Sequence, residues 1–201
     1  MLITSITPSK KKRKYDLYID GEFFATIDEQ TLLDCRVLMI GNEVDREVLL
    51  EIVEDSARAS AYRDALNYIS SSMRTIKEVK DKLYRLGYTT VVVDEAVQKM
   101  LGYAYLDDRD YATRYVDMYR DNKGKIRIRH ELKAKGVSED IIEDALSDFD
   151  EYAPALREAE KYSSRVRGDK KKIFNHLLVR GYSTGVVSEV LSSIAGEDTY
   201  D

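Results

Sequence analysis

The sequence LYRLGY at residues 83–88 closes an apolar helical pattern with a glycine, and LKAKGV at 132–137 and LLVRGY at 177–182 repeat the arrangement. A glycine that directly follows an apolar helical face is a common C-terminal cap, because it adopts a left-handed conformation without a Cβ clash. Four residues before each leading leucine stands a β-branched residue, namely Val79, Ile128 and Ile173. The shared register predicts three copies of one helical unit.

The flanking sequence extends the repeat on both sides of the glycine. Upstream, the step Ala-x-x-Tyr recurs as Ala65/Tyr68, Ala112/Tyr115 and Ala159/Tyr162. Just after the glycine stands a residue suited to cap a helix, namely Thr89, Ser138 and Ser183. Each copy therefore predicts three helices: the first carries Ala-x-x-Tyr, the second ends at the glycine, and the third starts just after it. Such units bury their apolar faces by stacking on one another.

The N-terminal segment has a different period. Apolar residues alternate around Asp20-Gly21, a dipeptide that tolerates positive φ and is typical of a tight hairpin. We expect a small β-structure from about Leu2 to Asp28, a short helix over Glu29–Leu38 and a turn at Gly41-Asn42. After Asp45 the apolar spacing becomes helical.

These patterns predict a mainly α fold, with three tandem three-helix repeats that form an elongated, curved array behind a small N-terminal β-hairpin region. The predicted boundaries are 1–44 for the hairpin and short helix, 45–106 for the first repeat, 107–151 for the second and 152–201 for the third. Hydrophobic residues make up 43% of the 201 residues and charged residues 34%, which is typical of a globular chain rather than a disordered one.

Composition also restricts the compartment and the class of partner. Cys35 is the single cysteine, so no intrachain disulfide can form. No segment approaches the roughly 18 consecutive apolar residues of a membrane span. We therefore expect a cytoplasmic protein without membrane contact. The formal net charge of −5, from 32 basic and 37 acidic residues, argues against a protein that simply coats DNA.

Positive charge is concentrated on the second helix of each predicted repeat. On a helix, Lys125, Arg129 and Lys133 are four residues apart and line one face, which suits phosphates or an acidic protein surface. The alternative is a set of solvated faces with intramolecular ion pairs, and for the run Lys10–Lys14 we favour a solvated loop over an accessory phosphate contact. The candidate contact residues are Arg74, Lys77, Lys125, Arg127, Arg129, Lys133, Arg165, Lys171, Lys172 and Arg180.

Catalytic and metal-binding chemistry find little support in the sequence. His130 and His176 have no cysteine or second histidine at ligand spacing. Asp107, Asp108 and Asp110 could hold a cation, but they are better explained as cap and first-turn acids of the following helix. No nucleophile with a spaced base is visible. We expect neither enzymatic activity nor a cofactor.

Taken in order, the motifs resemble the RecX regulatory proteins over nearly the full length. Residues 102–112, GYAYLDDRDYA, are similar to that family's Gly-Tyr-Leu-Asp-Asp…Tyr-Ala signature. Residues 72–83 resemble its Arg-Ser/Thr-x-x-Glu helix, and residues 128–137 and 172–182 resemble its elements that end in a basic residue and glycine. The resemblance implies structural roles for Asp107, Asp108, Tyr111, Gly87, Gly136 and Gly181.

The resemblance also implies a function, namely modulation of the RecA recombinase by binding in the groove of the RecA–DNA filament. Such a protein would limit filament extension and so lower strand exchange, ATP hydrolysis and coprotease activity. These activities belong to recombination, DNA repair and the SOS response. Single- and double-stranded DNA would be contacted weakly or through the filament, by a monomer without a cofactor.

Two other classes of function remain open. One is a direct DNA-binding transcription regulator with a helix-turn-helix-like pair, which the net negative charge disfavours. The other is a structural interaction array that makes no contact with nucleic acid. In that case, reversing the charges of Arg129 and Lys133 would leave partner binding intact.

Overall fold

The computed structural model describes residues 1–197, in two compact units. The first unit contains residues 1–73 and 79–106, and the second contains Arg74–Glu78 and the chain from Asp107 onward. The described residues form three strands and ten helices: β1 (Ile3–Pro8), β2 (Lys14–Ile19), β3 (Glu22–Asp28), α1 (Glu29–Asp34), α2 (Arg46–Ile69), α3 (Ile76–Arg85), α4 (Thr90–Gly102), α5 (Asp108–Tyr119), α6 (Lys125–Ala134), α7 (Glu139–Ala145), α8 (Tyr152–Val166), α9 (Lys170–Val179) and α10 (Thr184–Glu197). The predicted mainly helical fold with a small N-terminal β region is confirmed.

The N-terminal sheet is antiparallel, in the order β1-β2-β3. β2 and β3 meet at Asp20-Gly21, where the φ angles are 51° and 87°, so the predicted tight hairpin is confirmed. Residues 9–13 connect β1 to β2, and the Ser9 N–H donates to the Lys14 carbonyl across this turn. The core of the region is fully buried and draws side chains from all three strands and from α2: Ile3, Leu17, Ile27 and Leu49.

Helix α1 ends earlier than the sequence suggested. It spans Glu29–Asp34, not Glu29–Leu38, and Cys35 adopts an extended conformation. From there the chain returns along the outer edge of β1, where the Ile3 N–H donates to the Asn42 carbonyl and the Gly41 N–H donates to the Ile3 carbonyl. This pairing satisfies backbone groups at the sheet edge, and the long-range contact overrides the local helical pattern.

Asp28 joins the sheet to two helices of the first unit. Its carboxylate caps the first turn of α1, accepts hydrogen bonds from Ser56 and Ser60 of α2 at 2.9 and 3.2 Å, and lies 3.3 Å from Arg63. Burial raises the pKa of Asp28, but the hydrogen bonds from Ser56 and from the first turn of α1 outweigh it and hold the pKa at about 2. Asp28 is only 2% exposed, so its buried charge holds the sheet, α1 and α2 of the first unit together.

We predict that Asp28→Asn lowers the free energy of unfolding of the first unit by about 2 kcal/mol at neutral pH. The folded-state pKa is depressed, so the stabilisation is complete above the ordinary pKa of 3.8 and is lost as the pH falls towards 2. The difference in free energy of unfolding between wild type and variant should therefore become smaller over that acidic range. Amide hydrogen exchange in β2 and β3 measures this difference. Asp34→Asn, at an exposed acid, is the control. A gap that persists at the acidic end would contradict the role given to the Asp28 charge.

The helices form three triplets, α2–α4, α5–α7 and α8–α10, as the repeat pattern predicted. The glycines that follow the second helices, Gly87, Gly136 and Gly181, have φ angles of 92°, 86° and 87°, so the predicted left-handed caps are confirmed. In the described residues, no helix is both long and apolar enough to cross a membrane. The predicted core positions of the second helices are at most 1% exposed: Val79, Leu83, Ile128, Leu132, Ile173 and Leu177.

Inside the second unit, the start of α6 receives the capped end of α9, a contact that we call the α6 joint. The N–H groups of Gly124 and Ile126 donate to the carbonyls of Arg180 and Gly181, both at 3.0 Å. A Cβ atom on Gly181 would stand only 2.6 Å from the backbone nitrogen of Arg127. The joint therefore requires glycine at 181 for its close approach as well as for its positive φ.

The segment Arg74–Glu78, which includes the first turn of α3, receives the capped end of α6 in a similar way, and we call this contact the α3 joint. Thr75 Oγ1 donates to the Lys135 carbonyl at 2.7 Å, and Lys135 Nζ lies 2.8 Å from a Glu78 carboxylate oxygen. A Cβ atom on Gly136 would stand 2.3 Å from Cδ of Lys77, which is a flexible side chain rather than backbone. The two joints thus tolerate a larger residue to different degrees.

We predict that Gly181→Ala destabilises the second unit more than Gly136→Ala, and that Gly168→Ala is the mildest of the three. All three glycines have positive φ, which costs alanine about 1 kcal/mol. Nothing lies within 4 Å of a Cβ on Gly168, whereas at Gly181 the new methyl meets backbone and adds about 1–3 kcal/mol of overpacking. Urea unfolding followed by circular dichroism gives the order, and equal losses at 168 and 181 would contradict the close approach at the α6 joint.

Candidate binding surfaces

One side of α6 carries three of the predicted contact residues. Lys125, Arg129 and Lys133 are four residues apart; Lys133 is exposed and the other two are half-buried, because the fully buried Ile128 and Leu132 lie next to them around the helix. Neither an aspartate nor a glutamate occurs in the first turn of α6, although the positive end of a helix dipole favours acids there. The face is therefore basic at a cost in helix stability.

Acidic residues at the start of α7 neutralise much of this face. Arg129 forms ion pairs with Glu139 and Glu143, and Lys133 Nζ lies 3.2 Å from a Glu139 carboxylate oxygen. In the described chain, the Lys125 side chain has no such partner. Two of the three cations are thus paired inside the molecule, as the alternative interpretation of the basic helices anticipates.

Arg127 points away from this face, into an ion network around Glu131. Arg127 Nε and Lys123 Nζ lie 3.0 and 2.6 Å from the two oxygens of Glu131, and Tyr115 Oη donates to it at 2.7 Å. Burial raises the pKa of Glu131, but these donors outweigh it and hold the pKa at about 2. Arg127 thus pairs within α6, and Tyr115 of α5 links the two helices through the same carboxylate.

Arg180 has a comparable internal role at the end of α9. Its guanidinium lies 3.0 Å from Glu158, 3.2 Å from His176 Nε2 and 3.1 Å from the Asn122 carbonyl. Lys172 pairs at 3.3 Å with Asp169, which also caps the start of α9. Arg180 thus links α9 to α8 and to the chain just before α6, whereas Lys172 makes a local pair at the exposed start of α9.

The connection from α8 to α9 carries exposed cations that have no ion partner in the described chain. Arg165 lies in the last turn of α8 and Lys171 in the first turn of α9. Three further exposed cations, outside the candidate set from sequence, lie in the last two turns of α8, the connection or the start of α9: Lys161, Arg167 and Lys170. These five residues are called the α8–α9 basic cluster. Sequence spacing already places four of the five together before and after this connection, and the structure adds Lys161.

Arg74 and Lys77 complete the predicted set and lie at the α3 joint. Arg74 is half-buried, and the Lys77 side chain extends past Gly136. All ten predicted contact residues belong to the second unit. Five of them pair with the protein's own carboxylates, namely Arg127, Arg129, Lys133, Lys172 and Arg180. Arg165 and Lys171 are exposed at the α8–α9 connection, and the Lys125 side chain has no carboxylate partner in the described chain.

The aspartates of the predicted family signature organise helix starts. Asp107 caps α5 by accepting from the N–H groups of Arg109 and Asp110 at 2.8 and 3.2 Å, so the capping interpretation is confirmed for Asp107. Asp108 accepts from the Ile76 N–H at 2.9 Å, and burial raises the pKa of this carboxyl. In the described residues, no group of three or more histidine, cysteine, aspartate or glutamate side chains is placed to hold a metal ion.

Comparison with known proteins gives family matches for the first and second triplets. A family model described as "RecX, first three-helix domain" matches residues 61–100, and one described as "RecX, second three-helix domain" matches residues 107–146. The chain is 32% identical to "Regulatory protein RecX" of Levilactobacillus brevis, with 96% of this chain and 76% of that protein covered. It is 29% identical to the protein of the same description from Clostridium acetobutylicum, with 98% and 97% covered.

Solved structures agree with these matches in fold. A crystal structure described as regulatory protein RecX has a TM-score of 0.68 and 30% identity, and the match covers 94% of this chain and 98% of that one. A crystal structure of RecX from Lactobacillus salivarius has a TM-score of 0.66 and 29% identity, and covers 70% of this chain and 98% of that one.

Proposed function

Because the chain belongs to the RecX family of regulatory proteins, we propose that it binds RecA filaments on DNA, in the filament groove, and inhibits them. Inhibition would extend to the recombinase, ATPase and coprotease activities that serve recombination and DNA repair. The protein would act by occupying the filament rather than by catalysis, as a monomer in the cytoplasm and without a cofactor.

The observation that carries this proposal is the α8–α9 basic cluster. Its cations are exposed and have no carboxylate partner in the described chain, so binding a phosphate would not require breaking an internal ion pair. Lys170, Lys171 and Lys172 also occupy the first turn of α9, where positive charge opposes the helix dipole. An approaching phosphate would relieve that repulsion. The cluster is therefore suited to the phosphates that a DNA-bound filament presents.

The acidic face of α7 gives a reason to favour a nucleoprotein over naked DNA. Helix α7 carries Glu139, Asp140, Glu143 and Asp144 and no basic residue. These acids pair with Arg109, Arg129 and Lys133, so this part of the surface presents both signs of charge, which would complement a partner that presents both basic protein and phosphate. Naked DNA presents phosphate alone and offers the α7 acids no cationic partner.

The alternative function is direct binding to DNA, as in a transcription regulator with a helix-turn-helix-like pair. In that mode the second helix of the pair enters the major groove and contacts bases with polar or basic side chains. Neither α7 nor α10 contains a lysine or arginine in its described sequence. We therefore rank this alternative below filament binding. A salt-sensitive affinity for one duplex sequence in the absence of RecA would reverse the ranking.

The first test is the rate of ATP hydrolysis by RecA on single-stranded DNA, with and without this protein, at several salt concentrations. Suppression at protein concentrations well below that of RecA is expected, because each bound molecule would act on an extended filament. An unchanged rate at equimolar protein would overturn the proposal.

Reversal of two cluster charges, Arg165→Glu with Lys171→Glu, is predicted to raise the concentration for half-maximal ATPase inhibition by about tenfold or more. Both side chains are exposed and have no ion partner in the described chain, so helical content should stay unchanged. The matched control reverses Arg36 and Arg46, which are also exposed and without ion pairs in the described chain, but lie in the first unit. Equal inhibition by the two double variants would contradict a role for the cluster.

Removal of the α7 acids is predicted to have the opposite effect. Glu139→Gln with Glu143→Gln releases Arg129 and Lys133 from their ion pairs, and the α6 face becomes available to phosphate. Half-maximal inhibition should then require about threefold or more less protein, and the salt dependence should steepen. Asp148→Asn, at an exposed acid beyond the end of α7, is the single-site control. Weaker inhibition by the double variant would show that the α7 acids themselves contact the partner.

A further inference from the structure

A cavity of about 450 Å³ lies in the first unit, between the β1–β2 turn, α2 and the end of α3. Lys11, Lys12 and Lys14 line one side, and Gly87 and Tyr88 line another. A smaller cavity of about 220 Å³ also borders Lys12 and Lys14 and adds Arg13 and Arg63 to its lining. The basic run is exposed from Lys10 to Arg13, as expected of a solvated loop, and it also borders a cavity, with Lys14 built into β2.

The space beside the helix-capping glycine is empty in the first repeat, whereas another helix start fills it in the other two repeats. Gly136 and Gly181 are each covered at their joint, since a Cβ atom on either would come within 2.3 Å of another residue. Around Gly87, which has the same backbone conformation, nothing lies within 4 Å of such an atom. The cap of α3 therefore has no helix start packed against it in the first unit, and the space beside it borders lysines.

The positive charge along this cavity exceeds what the surrounding acids can neutralise. Asp28 is engaged with α1, α2 and Arg63, and Asp64 accepts the Tyr88 hydroxyl at 2.7 Å. Lys14 is held in place by a 2.6 Å hydrogen bond to Ser60. The three lysines before Arg13, which form the turn, have no ion pair or hydrogen-bonded side-chain partner in the described chain: Lys10, Lys11 and Lys12.

Consecutive unpaired lysines repel one another, and an anion in the cavity would relieve that repulsion. A carboxylate or a phosphate could accept from the ammonium groups, but one phosphodiester carries a single negative charge and cannot neutralise three lysines. A strand of successive phosphodiesters supplies one charge after another along its backbone. The charge count therefore favours a polymer of phosphates over a single small anion.

We propose that this cavity and the β1–β2 turn bind the phosphodiester backbone of a nucleic-acid strand, with Lys11 and Lys12 as the principal contacts. Lys14 positions the turn through Ser60 rather than contacting the strand. The site goes beyond the proposed function, because it lies in the first unit and uses none of the cations assigned above to α3, α6, α8 or α9.

The test measures binding of a short fluorescein-labelled oligothymidylate by fluorescence anisotropy, with no RecA present. For Lys11→Gln with Lys12→Gln, we expect Kd to rise about tenfold and the slope of log Kd against log salt to fall by about 1.4, which corresponds to two lost phosphate contacts. Arg36→Gln with Arg46→Gln removes the same charge from exposed positions of the same unit and should change neither quantity comparably. Indistinguishable Kd values and slopes for the two double variants would overturn the site.

A second pair of variants changes the charge of the cavity lining and leaves the lysines in place. Ala57 of α2 lines the cavity, so Ala57→Glu places a carboxylate beside the ammonium groups, and Ala57→Gln places an uncharged side chain of the same size there. Weaker binding is expected for the glutamate variant only. Equal weakening by both would indicate blocking of the cavity without a role for charge and would overturn the electrostatic basis of the proposal.

Competitors distinguish the sources of the anion. Unlabelled oligothymidylate is expected to displace the probe at far lower concentration than inorganic phosphate or polyglutamate at matched ionic strength. Effective displacement by inorganic phosphate would overturn the proposal that the ligand is a polymer. Equal displacement by polyglutamate would overturn the choice of phosphate over carboxylate. Because RecA is absent, these outcomes are independent of whether the α8–α9 basic cluster inhibits filaments.

Discussion

The left-handed glycine after the second helix of each triplet is the constraint on which the architecture of the second unit depends. It turns the chain into the third helix, and its lack of a side chain lets carbonyls at one helix end reach N–H groups at the start of another, as Gly181 does at α6. Helix ends carry backbone groups with no partner inside the helix. At the α6 joint, carbonyls at the end of α9 accept hydrogen bonds from N–H groups at the start of α6. One contact therefore satisfies backbone groups that would otherwise lack a partner at both helix ends.

The charges of the second unit follow from the same packing. Because α7 begins right after the Gly136 cap, its acids fall beside α6 and pair with Arg129 and Lys133. At the connection between α8 and α9, Asp169 caps α9 and pairs with Lys172, and the five cations of the α8–α9 basic cluster have no carboxylate partner in the described chain. The geometry of each helix connection thus decides whether its cations are consumed internally or left exposed.

Local signals made most of the fold predictable. The glycine caps, the buried positions around Ile128 and Leu132, and the Asp20-Gly21 hairpin depend on neighbours within a few residues, and the sequence contains those neighbours. The end of α1 was predicted wrongly because pairing with the β1 edge involves residues far apart in sequence. For the candidate surfaces, helical spacing located the α6 cations, but their partners on α7, the Glu131 network around Arg127 and the cavity beside Lys11 depend on tertiary contacts that spacing does not encode.

A net charge of −5 and exposed basic clusters are compatible, because screening limits each charge to its surroundings. At physiological salt the Debye length is about 8 Å, so a phosphate beside Lys171 or Lys11 responds to the nearest cations rather than to the whole molecule. At longer range the acidic excess weakens attraction to DNA. On the proposed function, this combination favours sites that position phosphates for the protein, as a RecA filament would by holding DNA in a fixed groove. Individually weak phosphate contacts then add to contacts with the filament protein, and occupancy depends on both being present.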